Sequence, residues 1–345
     1  MNLIENDLKK VLNEILTLAE IHKKKTVFTI SIAPRKREQE SVFFPFVRES
    51  SLSVIGNVEI NDLEDAKKIV KIIDGIVDYI LIDDEKKSKD LLNLSQEIKD
   101  IVKESIFLTY KDNDAWVEAA DTLINLFLEE IIDKNILIFT INNLSLKLAL
   151  KLCERGINVY LMDESNSSSD IIVESLNHML PEECPSKIYY LDKNPEGIDF
   201  NAVIGFSIDE PVINSEIIEK FSPKTIIFDA GIGSISEDAI KYALDNNFTI
   251  FRLDMRAGLS GNIINVIETY DLKQNIYGRK KFKDFNIVAG GFFGLKGDIV
   301  VDSINNPIRV IGVADGKGHL LDPESVKDYY GRIKEVEEDF INSLN

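Results

Sequence analysis

Apolar positions in this chain alternate between two periods. Over residues 3–23, Ile4, Leu8, Val11, Leu12, Ile15, Leu18 and Ala19 fall near one face of a helix. TVFTISIA (26–33) reads as a strand stopped by Pro34, and SLSVIGNVEI (51–60) as another. NDLEDAKKIVKIIDG reads as a helix capped at Asn61 or Asp62 and ended at Gly75. VDYILID (77–83) is a buried-type strand. Residues 89–104 are helical, SIFLTY (105–110) is the next strand, and AWVEAADTLINLFLEEIID (115–133) is an amphipathic helix. Strands alternating with helices predict a mostly parallel sheet.

The alternation continues beyond Asp133. Strand 136–140, helix 145–155 and strand 157–162 come first, then a polar break, ESNSSSD. A helix near 170–179, strands at 187–192 and 201–207, and a helix at 214–221 follow. TIIFDAG, a helix at 236–246 and TIFRLD complete a Rossmann-like order. From about 273 the segments turn β-type and are punctuated by Gly and Asn-Pro, which predicts antiparallel hairpins. DPESVKDYYGRIKEVEEDFINSL then closes the chain as a helix. The expected fold is α/β. It comprises an N-terminal α/β substrate-type domain (1–133), a Rossmann-like doubly wound, mostly parallel sheet that binds nucleotide (134–272), and a β-hairpin extension with a terminal helix (273–345).

Composition narrows the function classes. The chain has 345 residues, 44% of them hydrophobic, and a net charge of −19, which repels nucleic-acid phosphates and anionic lipid heads. Cys153 and Cys184 have neither metal-site nor disulfide spacing, so a reducing cytoplasm is expected. His22, His178 and His319 are scattered and outline no zinc site. No apolar run reaches the roughly 18–20 residues of a membrane span.

Chemistry is expected at strand ends. The turn after the first Rossmann strand is Thr140-Ile141-Asn142-Asn143-Leu144-Ser145. It lacks the glycines that let a backbone approach a pyrophosphate, although Thr140, Asn142 and Asn143 still stand at a helix N-terminus. Asp163 ends the second strand, where an acid would bind ribose hydroxyls of NAD or S-adenosylmethionine. Gly205, Ser207, Gly231 and Gly233 follow two further strands and offer close approach to a cofactor, or else shape tight turns. Arg252, Asp254 and Arg256 share one face of an extended segment, so two guanidiniums beside a carboxylate would hold a substrate anion. Asp83, Glu85, Lys111 and Asp112 follow N-terminal strands. Lys111 with Asp112 is the expected proton-transfer couple, and Asp114 reads as a helix cap. Arg35, Lys36, Arg37 and Arg48 form a basic island near Phe43, Phe44 and Phe46. Asp315-Gly316-Lys317-Gly318-His319 reads as a turn.

The layout resembles the shikimate/quinate dehydrogenase and amino-acid dehydrogenase-like group over roughly residues 26–272. The residues that carry the likeness are AWVEAADTLI before the first Rossmann strand, Asp163, NAVIGFS, FDAGIGS and AGLSGNIINVI. The resemblance implies a substrate domain, a Rossmann domain and a ligand in the cleft between them. TINNLS replaces that group's glycine-rich turn, and its catalytic-lysine motif has no match here. Three readings follow. The first is NAD-dependent oxidoreduction of a small anionic substrate. The second is a methyl transfer from S-adenosylmethionine in cofactor biosynthesis. The third is a non-catalytic assembly protein on a degenerate fold, such as a homodimer through residues 285–321. The third gains if Phe139, Asn142 and Leu144 fill the space beside Asp163.

Overall fold

The computed structural model describes residues 3–33, 42–163, 169–192, 197–208 and 210–343. Arg35, Lys36 and Arg37 lie outside the described residues, as does most of the ESNSSSD segment. The chain divides into two compact units, Met1–Ile263 and Ile264–Asn345.

Unit 1 begins with α1 (Leu3–His22), β1 (Lys25–Ile32), β2 (Val42–Phe43), β3 (Arg48–Glu49), β4 (Ser53–Ile60) and α2 (Leu63–Ile73). It continues with β5 (Tyr79–Asp83), α3 (Leu94–Lys99), β6 (Ile106–Tyr110) and α4 (Asp112–Phe127). Strands β4, β1, β5 and β6 lie side by side and parallel. The short β2 and β3 run antiparallel on β4 at the edge. Every residue of β1 after Lys25 and all of β5 is buried, as expected for central strands covered on both faces. The helix expected over 89–104 survives only at its centre. Ser88 caps a 3-10 turn at Lys89–Leu91, and α3 occupies Leu94–Lys99.

A second sheet follows within the same unit: β7 (Asn135–Phe139), α5 (Asn143–Glu154), β8 (Asn158–Met162), α6 (Ser169–Met179), β9 (Ile188–Leu191), β10 (Ala202–Gly205), α7 (Ser215–Ile218), β11 (Ile226–Asp229), α8 (Glu237–Asp245) and β12 (Thr249–Arg252). The strands are all parallel, in the order β12-β11-β10-β7-β8-β9. Numbered within the sheet this is 3-2-1-4-5-6 read from β9, the doubly wound order whose direction reverses between β7 and β10. Ligands of such sheets bind beyond the carboxyl ends of the strands, at that reversal. One core packs α4, α5 and α6 on one face of this sheet, and a second packs α7 and α8 on the other.

The last element of unit 1 is the start of α9 (Arg256–Asn275). Gly258 is where α9 crosses α4. A Cβ at this position would overlap the carbonyl oxygen of Ala115 and crowd the amide nitrogen of Ala119. The AGLSGN glycines therefore divide by purpose, because Gly261 has nothing within 4 Å of its Cβ position.

Unit 2 contains β13 (Gly278–Phe282), β14 (Phe285–Ala289), β15 (Ile299–Val301), β16 (Val310–Val313), α10 (Pro323–Val326) and α11 (Tyr330–Ser343). Hairpins are expected here, and two antiparallel pairs form, but β14 and β15 run parallel between them. The buried Asp298 pins that crossing. Its carboxylate accepts from the amides of Asn286 and Leu295 and from Arg279.

The contrast between the two α9 glycines is measurable. Gly258→Ala is expected to lower unfolding free energy by about 1–3 kcal/mol, because a well-packed crossing resists an added methyl. Gly261→Ala should be neutral or gain up to about 1 kcal/mol from helix propensity. Denaturant melts of the two variants decide this; equal effects would remove the helix-crossing explanation.

Candidate active site

Strand direction brings the chemistry together. A cleft of about 540 Å³ opens where the carboxyl ends of both unit 1 sheets meet. The first sheet contributes Ser31, Asn57 and Glu59 from its strands, and Lys87 and Asp112 from the segments after β5 and β6. The second contributes Arg252 from the end of β12, and Leu144, Ile208, Gly231 and Asp254 from segments after β7, β10, β11 and β12. Its volume suits a small molecule.

The most unusual group in the cleft wall is Lys87, an almost buried ammonium. Its Nζ stands 2.7 Å from Asp83, 3.2 Å from Asp112 and 3.4 Å from Glu85. Burial alone would pull Lys87 down, but Asp112 and Asp83 outweigh it and the net shift is upward. Three carboxylates around one cation leave an excess of negative charge. Asp112 absorbs it: desolvation, reinforced by Asp83 and opposed by Lys87, pushes its carboxyl up to about 6. Tyr110 lies buried behind the pair, held well above the usual phenol range first by burial and then by Asp112 and Asp83.

Asp83 is the hub of this arrangement. Its side chain is fully buried. One oxygen accepts from the amides of Glu85 (3.2 Å) and Asp112 (3.4 Å), and the other from the amide of Ile32 at 3.4 Å. Three strand ends are thereby tied to one carboxylate. Glu85 adds a second tie, accepting from the Asn113 amide at 2.7 Å. Beside this cluster, Asn57 Oδ1 accepts from Thr29 Oγ1 and Ser31 Oγ, at 2.9 and 3.2 Å.

Sequence reading pairs Lys111 with Asp112. In the structure the lysine beside Asp112 is Lys87, which lies outside that pairing. The Lys111 side chain is 64% exposed and lies 3.7 Å from Asp114. Asp114 mainly receives Lys147, at 2.6 Å. Lys87 was obscured because the charged run DDEKKSKD looks like a solvated loop. Only the turn after β5 shows that one of its lysines folds inward.

Asp254 and Arg252 line the cleft. Arg252 stands 3.6 Å from Asp229, and Arg256 pairs with Asp254 at an exposed position. Arg48, from the basic island, also lines the cleft and helps hold the Asp254 carboxyl low, after Arg256. Lys317 and His319 belong to unit 2; Asp315 accepts from both of their amides, which is the expected turn.

Most of the expected cofactor residues are engaged by neighbouring parts of the fold. Thr140 adopts φ +78°, the left-handed conformation usually left to glycine. Asn142 caps α5: its Oδ1 accepts from the amides of Leu144 (2.9 Å) and Ser145 (3.0 Å), and Ser145 Oγ accepts from the Asn142 amide. Its Nδ2 donates to the carbonyl of Phe206 at 3.2 Å, across the reversal between β7 and β10. Asp163 accepts from the amide of Ile141 at 2.9 Å. Asn143 is the first residue of α5. Phe139 is buried, with Asn142 and Leu144 half-buried around the same turn. Gly205 packs beneath Ser234. Gly231 has no room for a side chain because the backbone of Phe206 and Ser207 lies against it. Ser207 donates to the carbonyl of Glu210. The amides of Ile232 and Gly233 each donate to Asp229, both at 2.9 Å. Among the residues expected to contact a cofactor, only Gly231 lines the cleft.

No protein-family model matches this chain, and no curated protein matches it. Among solved structures, a shikimate dehydrogenase in complex with NADP+ is 13% identical, covering 73% of this chain and 96% of its own, with a TM-score of 0.42. The catalytic subunit of M. jannaschii aspartate transcarbamoylase is 11% identical, over 78% of this chain and 95% of its own, with a TM-score of 0.42. L-Tryptophan dehydrogenase from Nostoc punctiforme is 12% identical, over 71% and 74%, again with a TM-score of 0.42. The resemblance to shikimate and amino-acid dehydrogenases thus recurs among structures. A carbamoyltransferase stands beside them at the same score, so likeness at this level assigns no activity.

The charge balance around Lys87 is open to direct titration. Carboxyl NMR should find Asp112 titrating near pH 6. Asp83→Asn should move that transition down, and Lys87→Met should move it up. Because the folded state holds this proton more tightly than the unfolded chain does, the group withdraws stability as pH rises from about 4 to about 6. A wild-type Asp112 transition near pH 4 would contradict the buried cluster.

Proposed function

We propose that the cleft is the active site of an enzyme that moves a proton on or off a small anionic substrate. Asp112 is the acid–base group, Lys87 its cationic partner, and Arg252 with Arg48 holds the anion. The observation that carries this reading is the Lys87 ammonium, nearly buried among Asp83, Glu85 and Asp112 yet lining a cleft. A carboxyl near 6 beside a cation can exchange a proton at neutral pH, and perturbed groups in clefts are favoured sites of chemistry.

NAD-dependent oxidoreduction is the fuller form of this reading. The doubly wound strand order and the cleft at the carboxyl ends support it. The α5 turn opposes it. A pyrophosphate there needs free amides and a backbone bare of side chains. Asn142 takes the amides of Leu144 and Ser145, and Asp163 takes that of Ile141. These residues do not fit a dinucleotide, and no step is assigned to one. The same observation favours methyl transfer as the second reading, since S-adenosylmethionine carries no pyrophosphate. Arg256, committed to Asp254, braces the rim instead of holding the anion.

Calorimetry with NAD, NADP, S-adenosylmethionine and S-adenosylhomocysteine separates these forms. Neither dinucleotide is expected to bind more tightly than about 1 mM. Micromolar NAD or NADP affinity would restore the dehydrogenase, and micromolar affinity for the sulfonium or its thioether would select methyl transfer. On the turnover substrate, Lys87→Met and Asp112→Asn should each lower kcat/KM by about 100-fold or more, while Lys111→Met stays within about threefold. Full activity in Asp112→Asn would end the acid–base assignment.

A further inference from the structure

The walls of the cleft differ in character from its ends. Lys87 and Asp112 sit on the first-sheet side, and Arg252 stands on the second-sheet side at the end of β12. The remaining surface is largely apolar. Phe43 ends β2, Pro45 and Phe46 come from the segment that links β2 to β3, Trp116 from α4, and Met255 from the turn before α9. Phe46 is 94% exposed although it lines the cleft, and Phe43 is 38% exposed. Isolated exposed apolar residues are common on surfaces. Here they are close in sequence and share one concave site with arginines.

Aromatic side chains gain most against flat ring faces, through offset or edge-on stacking. Arginine adds planar stacking to its charge. A polyol would leave its hydroxyls without partners against Phe43, Phe46 and Met255, which is costly on burial. A flat ring with one ionised group and one hydroxyl matches all three features. Its faces meet the aromatic wall, its anion meets Arg252 and Arg48, and its hydroxyl meets Lys87 and Asp112.

We infer that the cleft selects an anionic substrate with a flat, apolar body, of the hydroxylated aromatic acid class. This rests on the proposed function, because it places the hydroxyl at Lys87–Asp112. Phe46 is then the specificity-determining residue. It touches the ring and takes no part in proton transfer.

Trp116 is the chain's one tryptophan and lines the cleft, so its emission reports occupancy without knowledge of the reaction. The probes are the three hydroxybenzoates and their ring-saturated counterparts, the hydroxycyclohexanecarboxylates, titrated into wild type, Phe46→Ala, Arg252→Gln and Lys87→Met. At least one hydroxybenzoate should bind about tenfold more tightly than its saturated counterpart. Phe46→Ala should erase that difference while leaving the saturated acid's affinity within about twofold. Equal binding of the two rings, or a preference untouched by Phe46→Ala, overturns the inference. If that saturated acid still depends on Arg252 and Lys87, the proposed function survives its loss. If the aromatic preference holds but Lys87→Met leaves binding and its pH dependence unchanged, the ring selectivity stands and the acid–base reading falls. If no acid of either kind alters Trp116 emission, both are wrong.

Discussion

An almost buried ammonium among three carboxylates is the constraint around which the first sheet's carboxyl edge is built. Taking a charge out of water costs several kcal/mol per ion unless close partners restore what solvent supplied. Lys87 has those partners at 2.7–3.4 Å. The partners in turn are fixed by backbone amides. Asp83 receives them from Ile32, Glu85 and Asp112, so the ends of β1, β5 and β6 converge on one carboxylate. Removing Asp83 would therefore do more than delete a charge; it would release three segments that define the cleft. The cluster also carries more negative charge than one lysine neutralises. Asp112 meets that excess by holding a proton to higher pH, which turns a structural necessity into a chemical capacity.

The second sheet shows the converse arrangement, a turn whose amides at Ile141, Asn142, Leu144 and Ser145 are taken by side chains of the chain itself. Doubly wound sheets leave an opening at their reversal because neighbouring crossovers diverge there. In this chain Asn142 spans that opening, capping α5 with its carbonyl and reaching Phe206 with its amide nitrogen. Thr140 pays the conformational cost of a left-handed turn without being glycine. Such strain persists where surrounding contacts over-determine it, and here Asn142, Ser145 and Asp163 do so. The helix dipole at α5 is answered by neutral and acidic groups of the chain itself.

Most of the element order was legible from periodicity, since long apolar runs such as YILID and NILIF have few alternatives to buried strands. The helix over 89–104 was overextended because its apolar spacing continues past Lys99, where the chain leaves helix. The parallel pairing of β14 with β15 escaped notice because turn glycines point to hairpins, whereas the crossing depends on Asp298 meeting partners from distant segments. At the site, Asp112, Arg252, Asp254 and Gly231 were readable as strand-end residues. Lys87 was not, since no spacing rule separates an inward lysine from its solvated neighbours in DDEKKSKD. Glycine motifs misled in a consistent way. Gly231 and Gly258 serve close packing of chain on chain, a demand that leaves the same mark in sequence as close approach of a ligand.

The anionic ligand proposed for the cleft faces an electrostatic objection in an acidic protein, which short-range contacts answer. A net charge of −19 repels anions at long range, but the Debye length at physiological ionic strength is about 8 Å. Surface carboxylates farther than that from the cleft are largely screened. Within it, Arg48 and Arg252 would act at short range on the proposed ligand as it sheds water against apolar walls. Desolvation strengthens those contacts more than it strengthens distant repulsion. Binding strength then depends on local geometry, while the overall charge mainly slows approach and discourages polyanions. The apolar wall at Phe43 and Phe46 would then serve the electrostatics as well as the packing, because a ligand that covers it lowers the local dielectric around Arg48 and Arg252.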